Sequence, residues 1–117
     1  AVVVVGLGGN DGLRGLPLKS SRENLSAMVR LSRQAGAKVL LLGMDIPPNY
    51  GPKYTREFRE IYPAVARAGG ATLVPGFVAA VGTDPELMQG DGIHPNAQAQ
   101  PKLLEAVWPL LLPLLAR

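Results

Sequence analysis

The chain has 117 residues, a formal net charge of +3 and no cysteine, so it amounts to a single domain over residues 1–117 and can hold no disulfide, thiolate nucleophile or cysteine-ligated metal. Its one histidine argues against a protein-built zinc site, which wants several His or Cys ligands, and no metal or cofactor is expected. Lys and Arg are spread over helical segments with Glu among them, which speaks against nucleic acid as a partner, and the opening valine run is too short to be a transmembrane segment.

Ala1 to Leu7 is an apolar, β-branched run without polar alternation, the pattern of a parallel strand covered on both faces. Gly8 to Ser20 follows as a loop. Ser20 or Ser21 then caps a helix to about Ala35, with Leu25, Met28, Val29 and Leu31 near helical spacing and Gly36 as its stop. Lys38 to Met44 is a second strand, Asp45 to Pro52 a turn-rich loop, and Lys53 to Ala68 a helix ended by Gly69-Gly70, in which Pro63 predicts a kink or break. Ala71 to Pro75 is a third strand. An irregular stretch containing Gly82, Pro85, Gly90 and Gly92 leads to a last helix from Ala97 toward Arg117, made less regular by Pro109 and Pro113.

Strands alternating with helices predict an α/β fold, a parallel sheet joined by right-handed crossovers. Ligands of such sheets bind beyond the carboxyl ends of the strands. Chemistry is therefore expected in the loops that start at Gly8, Asp45 and Gly76.

The most informative of these loops holds Asp91 and His94 among Gly90, Gly92 and Pro95. The glycines permit a tight turn, and Pro95 biases His94 toward an extended conformation just before a helix. A carboxylate so close can accept a hydrogen bond from one ring nitrogen, leaving the other as a general base. The same residues also suit an ordinary helix-initiating turn with an exposed histidine. At the end of the first strand stands Gly8-Gly9-Asn10-Asp11, where the Asn10 amide could stabilise charge on a carbonyl oxygen or simply make a turn.

Taken in order, Gly8-x-Asn10-Asp11 and Asp91-Gly92-x-His94-Pro95 resemble two of the four conserved blocks of the SGNH (GDSL-type) hydrolases. Leu7 to Gly15, Pro47-x-Asn49-Tyr50-Gly51 and Ala99-Gln100-Pro101 look like the bacterial thioesterase/lysophospholipase (arylesterase) branch, so the resemblance covers essentially the whole chain. It implies the three-layer α/β/α, flavodoxin-like fold of that family and a carboxylic ester hydrolase without metal or cofactor. Asn10, with Gly8 and Gly9, would form the oxyanion and substrate-binding loop, Asp91 the orienting acid and His94 the base. The loops 11–16 and 45–51 would border the acyl groove. Substrates would be small acyl or aryl esters, thioesters or lysophospholipids, and the resemblance implies a periplasmic or secreted compartment, with the cytoplasm the alternative.

The chain departs from the family pattern in lacking the Gly-Asp-Ser-Leu block with its nucleophile and the block with the oxyanion glycine. Its serines, Ser20, Ser21, Ser26 and Ser32, all fall at the start of or within the first helix, where capping or surface exposure is expected. The reading is thus of an N-terminally truncated domain of about three strands, with the nucleophile upstream or on a partner chain. The valine strand would be an open edge that associates unless covered, pairing with another copy in a homo-oligomer or with a missing N-terminal segment. Two alternatives stand beside the hydrolase: a non-catalytic remnant used for binding or assembly, and a nucleotide-binding module. Against the latter, Asp11 breaks the glycine fingerprint that begins at Gly6-x-Gly8.

Overall fold

Three short strands built of valine and leucine lie side by side in a parallel sheet, β1 (Val2–Val5), β2 (Lys38–Leu42) and β3 (Thr72–Val74), in that order. The computed structural model describes residues 1–8, 12, 14–46, 48–78, 81–82, 84–91 and 94–116, and β1 is an edge strand among them. Val3 pairs with Val39, Val5 with Leu41, and Leu41 with Leu73. Because side chains alternate along a strand, these five residues share one face, while Val4, Leu40, Leu42 and Val74 share the other.

Each face has its own helical cover. Helices α1 (Leu18–Gln34) and α2 (Pro52–Gly69) pack on the first through Leu25, Val29, Phe58, Ile61, Tyr62 and Val65. On the second, α3 (Gln100–Leu115) lays Val107, Leu110, Leu111 and Leu114 over β2 and β3. The expected three-layer α/β/α arrangement is therefore present. Lys38, at the start of β2, donates its Nζ hydrogen to the Ala116 carbonyl at 3.2 Å, so α3 runs against the strands and begins near their carboxyl ends. Among the described residues, no helix is long and apolar enough to cross a membrane.

Several boundaries and faces differ from the sequence reading. All three strands are shorter than expected, β2 only at its carboxyl end, since it starts at Lys38 as read from the sequence. Helix α1 begins at Leu18, not at a serine cap, because the Pro17 carbonyl itself accepts the amides of Ser20 (3.2 Å) and Ser21 (3.4 Å). That start puts Ser21 in the buried row with Leu25 and Val29 and leaves Leu31 59% exposed, reversing the surface role expected of one and the core role expected of the other. Pro63 neither breaks nor ends α2. A proline inside a helix costs about 3 kcal/mol, and the burial of Ile61, Tyr62, Val65 and Ala66 around it offsets that cost.

Candidate active site

After β3 the chain is pinned to its neighbour: Gly43 N–H donates to the Val74 carbonyl at 2.7 Å, and Phe77 N–H to the Gly43 carbonyl at 2.9 Å. Residues 84–91 and 94–100 then fold against each other. Asp84 caps a short 3-10 turn (Pro85–Leu87) by accepting the Glu86 N–H at 3.0 Å. Met88 and Pro95 form an antiparallel bridge, supported by Gln89 N–H to the His94 carbonyl at 2.7 Å and Asn96 N–H to the Leu87 carbonyl at 2.8 Å. Asn96 closes the loop with its side chain. Its amide donates to the carbonyls of Glu86 (2.7 Å) and Met88 (3.3 Å), and its Oδ1 accepts the Ala99 N–H at 3.2 Å, as an N-cap does. Val81, Ala99 and Leu103 form a small buried cluster that anchors this segment.

Asp91 and His94 come together inside that frame. Oδ1 of Asp91 accepts the His94 backbone N–H at 3.0 Å, and Oδ2 lies 2.6 Å from Nδ1 of the ring. An ionised carboxylate only accepts, so Nδ1 carries the proton, and in the neutral ring Nε2 then keeps its lone pair as a proton acceptor. The two side chains are 42% and 61% exposed. At that exposure an ion pair adds little to stability, and the contribution of the contact is to orient the ring. Since α3 begins near the carboxyl ends of the strands, the pair lies at the sheet edge where ligands of parallel sheets bind.

The other predicted element opens at the end of β1. Gly8 has φ +107°, a backbone region that residues with a Cβ rarely adopt, and a Cβ there would stand 2.3 Å from the Tyr62 hydroxyl oxygen. That hydroxyl donates to the Leu7 carbonyl at 2.9 Å. Gly12 N–H donates to the Gly8 carbonyl at 3.1 Å. Gly12 is buried, and a Cβ on it would meet the Phe58 ring at 2.5 Å. Gly9, Asn10 and Asp11 themselves lie outside the described residues, as do Gly92 and Ile93. Beyond this loop, Tyr54 donates its hydroxyl to the Leu16 carbonyl at 3.0 Å and stacks on Tyr50 at 6.3 Å, which ties the region after β1 to α2.

The structure thus brings together Asp91 and His94 and sets Gly8 at the end of β1. It also reveals Asn96 and Tyr62, which the sequence reading did not single out. Asn96 carried a signal, an N-cap residue before a helix. Tyr62 carried none, because its partner is distant in the chain. All four serines belong to α1. A cleft of about 480 Å³ between α1 and α2, lined by Ser26, Arg30, Arg33, Val65 and Gly69, sits where those helices end. That is the amino-terminal side of the sheet, away from Asp91 and His94.

Comparison with known proteins supplies a further line of evidence. Residues 1–100 match the profile of the GDSL-like lipase/acylhydrolase family. The chain is 54% identical over 115 residues to "Esterase TesA" of Pseudomonas aeruginosa, covering 98% of this chain and 57% of that protein. It is 40% identical over 112 residues to "Thioesterase 1/protease 1/lysophospholipase L1" of Escherichia coli, covering 96% of this chain and 54% of that one. A crystal structure of TesA superposes with a TM-score of 0.94 at 54% identity, over 98% of this chain and 64% of that chain. The chain therefore spans about half the length of the curated relatives it matches.

Proposed function

The chain belongs to the GDSL-like lipase/acylhydrolase family, and on that premise we propose that Asp91 and His94 are the acid and base of a carboxylic ester hydrolase. The observation that carries this reading is the 2.6 Å contact between Nδ1 of His94 and Oδ2 of Asp91, which in the neutral ring makes Nε2 the proton acceptor. Nε2 takes the proton of a serine hydroxyl as its oxygen bonds to the ester carbonyl carbon. The oxyanion so formed accepts hydrogen bonds from Asn10 and the Gly8-Gly9 loop. The imidazolium, held by Asp91, then protonates the leaving oxygen or sulfur as its bond to carbon breaks, giving an acyl-serine that water hydrolyses by the same steps. The substrates are small acyl or aryl esters, thioesters or lysophospholipids.

The serine comes from outside the described sheet edge, on a strand–helix unit that pairs with the free side of β1. Val4 is 48% exposed beside that edge, and Leu104, Trp108 and Leu112 form an exposed row along α3. With right-handed crossovers and α3 running against the strands, this row faces the β1 side of the sheet. Packed helices lie about 10 Å apart, roughly two strand spacings. A helix beside α3 thus sits over β1 and one further strand, covering Val4 and the row together. A second copy joined edge to edge about a twofold axis would set the two α3 helices about four spacings apart, roughly 19 Å, and leave both rows bare. The unit corresponds to the part of the relatives' length that this chain does not match.

The test is hydrolysis of a p-nitrophenyl acyl ester by the chain with the nucleophile-bearing unit of the TesA relative present. Turnover is expected and His94→Ala should abolish it; turnover that survives His94→Ala would overturn the assignment. A second reading, a non-catalytic module for binding or assembly, is favoured by one observation, the confinement of Ser20, Ser21, Ser26 and Ser32 to α1. It predicts no labelling by a fluorophosphonate probe in any combination with that unit.

A further inference from the structure

We propose that Tyr62 is a positioning residue for the oxyanion loop, fixing from helix α2 the end of β1 and the glycine that opens the segment carrying Asn10. The inference rests on the reading of Asn10 as the oxyanion donor. Tyr62 is 1% exposed and packs in the main core, where a phenylalanine would fill nearly the same volume. A buried hydroxyl is unfavourable unless hydrogen-bonded. Here it donates to the Leu7 carbonyl at 2.9 Å. Strand β1 ends at Val5, so Leu7 lies beyond the ladder, and the tyrosine supplies a main-chain anchor where the sheet no longer does.

The same ring dictates the next residue. With φ +107° at Gly8 and the hydroxyl oxygen 2.3 Å from where a Cβ would stand, the backbone lies directly against Tyr62. One turn earlier on α2, Phe58 does the equivalent for Gly12, whose Cβ would fall 2.5 Å from its ring. Phe58 and Tyr62 meet edge to face at 5.7 Å. The Gly12 N–H to Gly8 carbonyl bond at 3.1 Å joins the two glycines, so both ends of segment 8–12 rest on one aromatic pair. An oxyanion donor is effective only when it is held at hydrogen-bond distance from the developing charge before the reaction begins. The pair provides that support from beneath, without touching substrate.

Tyr62→Phe tests this, because it keeps the ring and removes only the hydroxyl. On the chain alone, amide hydrogen exchange at Gly12 should become about tenfold faster, the order expected for one lost hydrogen bond, with the amides of Leu41 and Val65 unchanged. With the nucleophile-bearing unit present, kcat for the aryl ester should fall about tenfold at constant KM. Unchanged Gly12 exchange would mean that the ring only packs, and would overturn the inference. So would faster Gly12 exchange with kcat unaltered, provided that His94→Ala still abolishes turnover. If turnover instead survives His94→Ala, the functional reading fails, and the exchange result alone decides whether Tyr62 anchors the loop.

Discussion

Asn96 donates to the carbonyls of Glu86 and Met88 and accepts from Ala99 N–H, so one truncation frees three partners. Loss of an N-cap costs about 1 kcal/mol, and the two carbonyls add to it. Asn96→Ala should therefore lower stability by about 2 kcal/mol, read as a reduced midpoint in urea unfolding. Asp91→Asn changes the site without removing volume. An amide cannot accept at both of its terminal atoms, so either the His94 N–H or the ring Nδ1–H loses its partner. Turnover in the presence of the nucleophile-bearing unit should drop by roughly 10³ to 10⁴, the loss typical when the wrong tautomer is favoured, with the fold intact by circular dichroism. Asp91 and His94 were legible in the sequence because both partners of the contact lie in one short loop. Tyr62 was not, because a hydroxyl bond across the core leaves no local pattern.

At the scale of elements, α1 and α2 meet closely at Gly69, where a Cβ would stand 2.6 Å from Cγ1 of Val29. Two effects oppose each other in Gly69→Ala. Alanine gains up to about 1 kcal/mol over glycine in a helix interior and less at Gly69, the last residue of α2, whereas forcing an extra methyl into a packed interior costs about 1–3 kcal/mol. Val29 is completely buried and cannot swing aside, so the clash wins. A net loss of about 1 kcal/mol is expected, measurable as a lower urea midpoint at unchanged slope. The helices were readable as helices, since both end at glycines and carry apolar rows. The phase of α1 was harder to read. Leu25 and Val29 are consistent with more than one face, and the choice between Ser21 and Leu31 follows from where Pro17 starts the helix and from what α2 lays against it.

For the molecule as a whole, the apolar arc of α3 is wider than its own sheet contact requires. Val107, Leu110, Leu111 and Leu114 meet the sheet while Leu104, Trp108 and Leu112 remain exposed. This breadth was visible in the leucine-rich sequence of the segment, but its direction was not, because it depends on the course of α3 across the strands. Trp108→Glu together with Leu112→Glu should leave the thermal midpoint of the chain within a few degrees, since both side chains are outside its core. The same pair should weaken docking of the nucleophile-bearing unit by at least about a hundredfold, because charged groups would be desolvated against apolar surface. Titration calorimetry checks the second effect. Light scattering shows whether a second copy competes for the surface.

The hydrogen bonds described above between Asp91, His94 and the turn around them join residues within 84–100, short-range contacts of the kind that form early when a chain folds. When the proposed nucleophile-bearing unit is supplied as a separate chain, it must first associate with the free side of β1. Hydrolysis is then gated by encounter: after mixing, the onset of ester turnover should quicken in proportion to the concentration of the incoming unit.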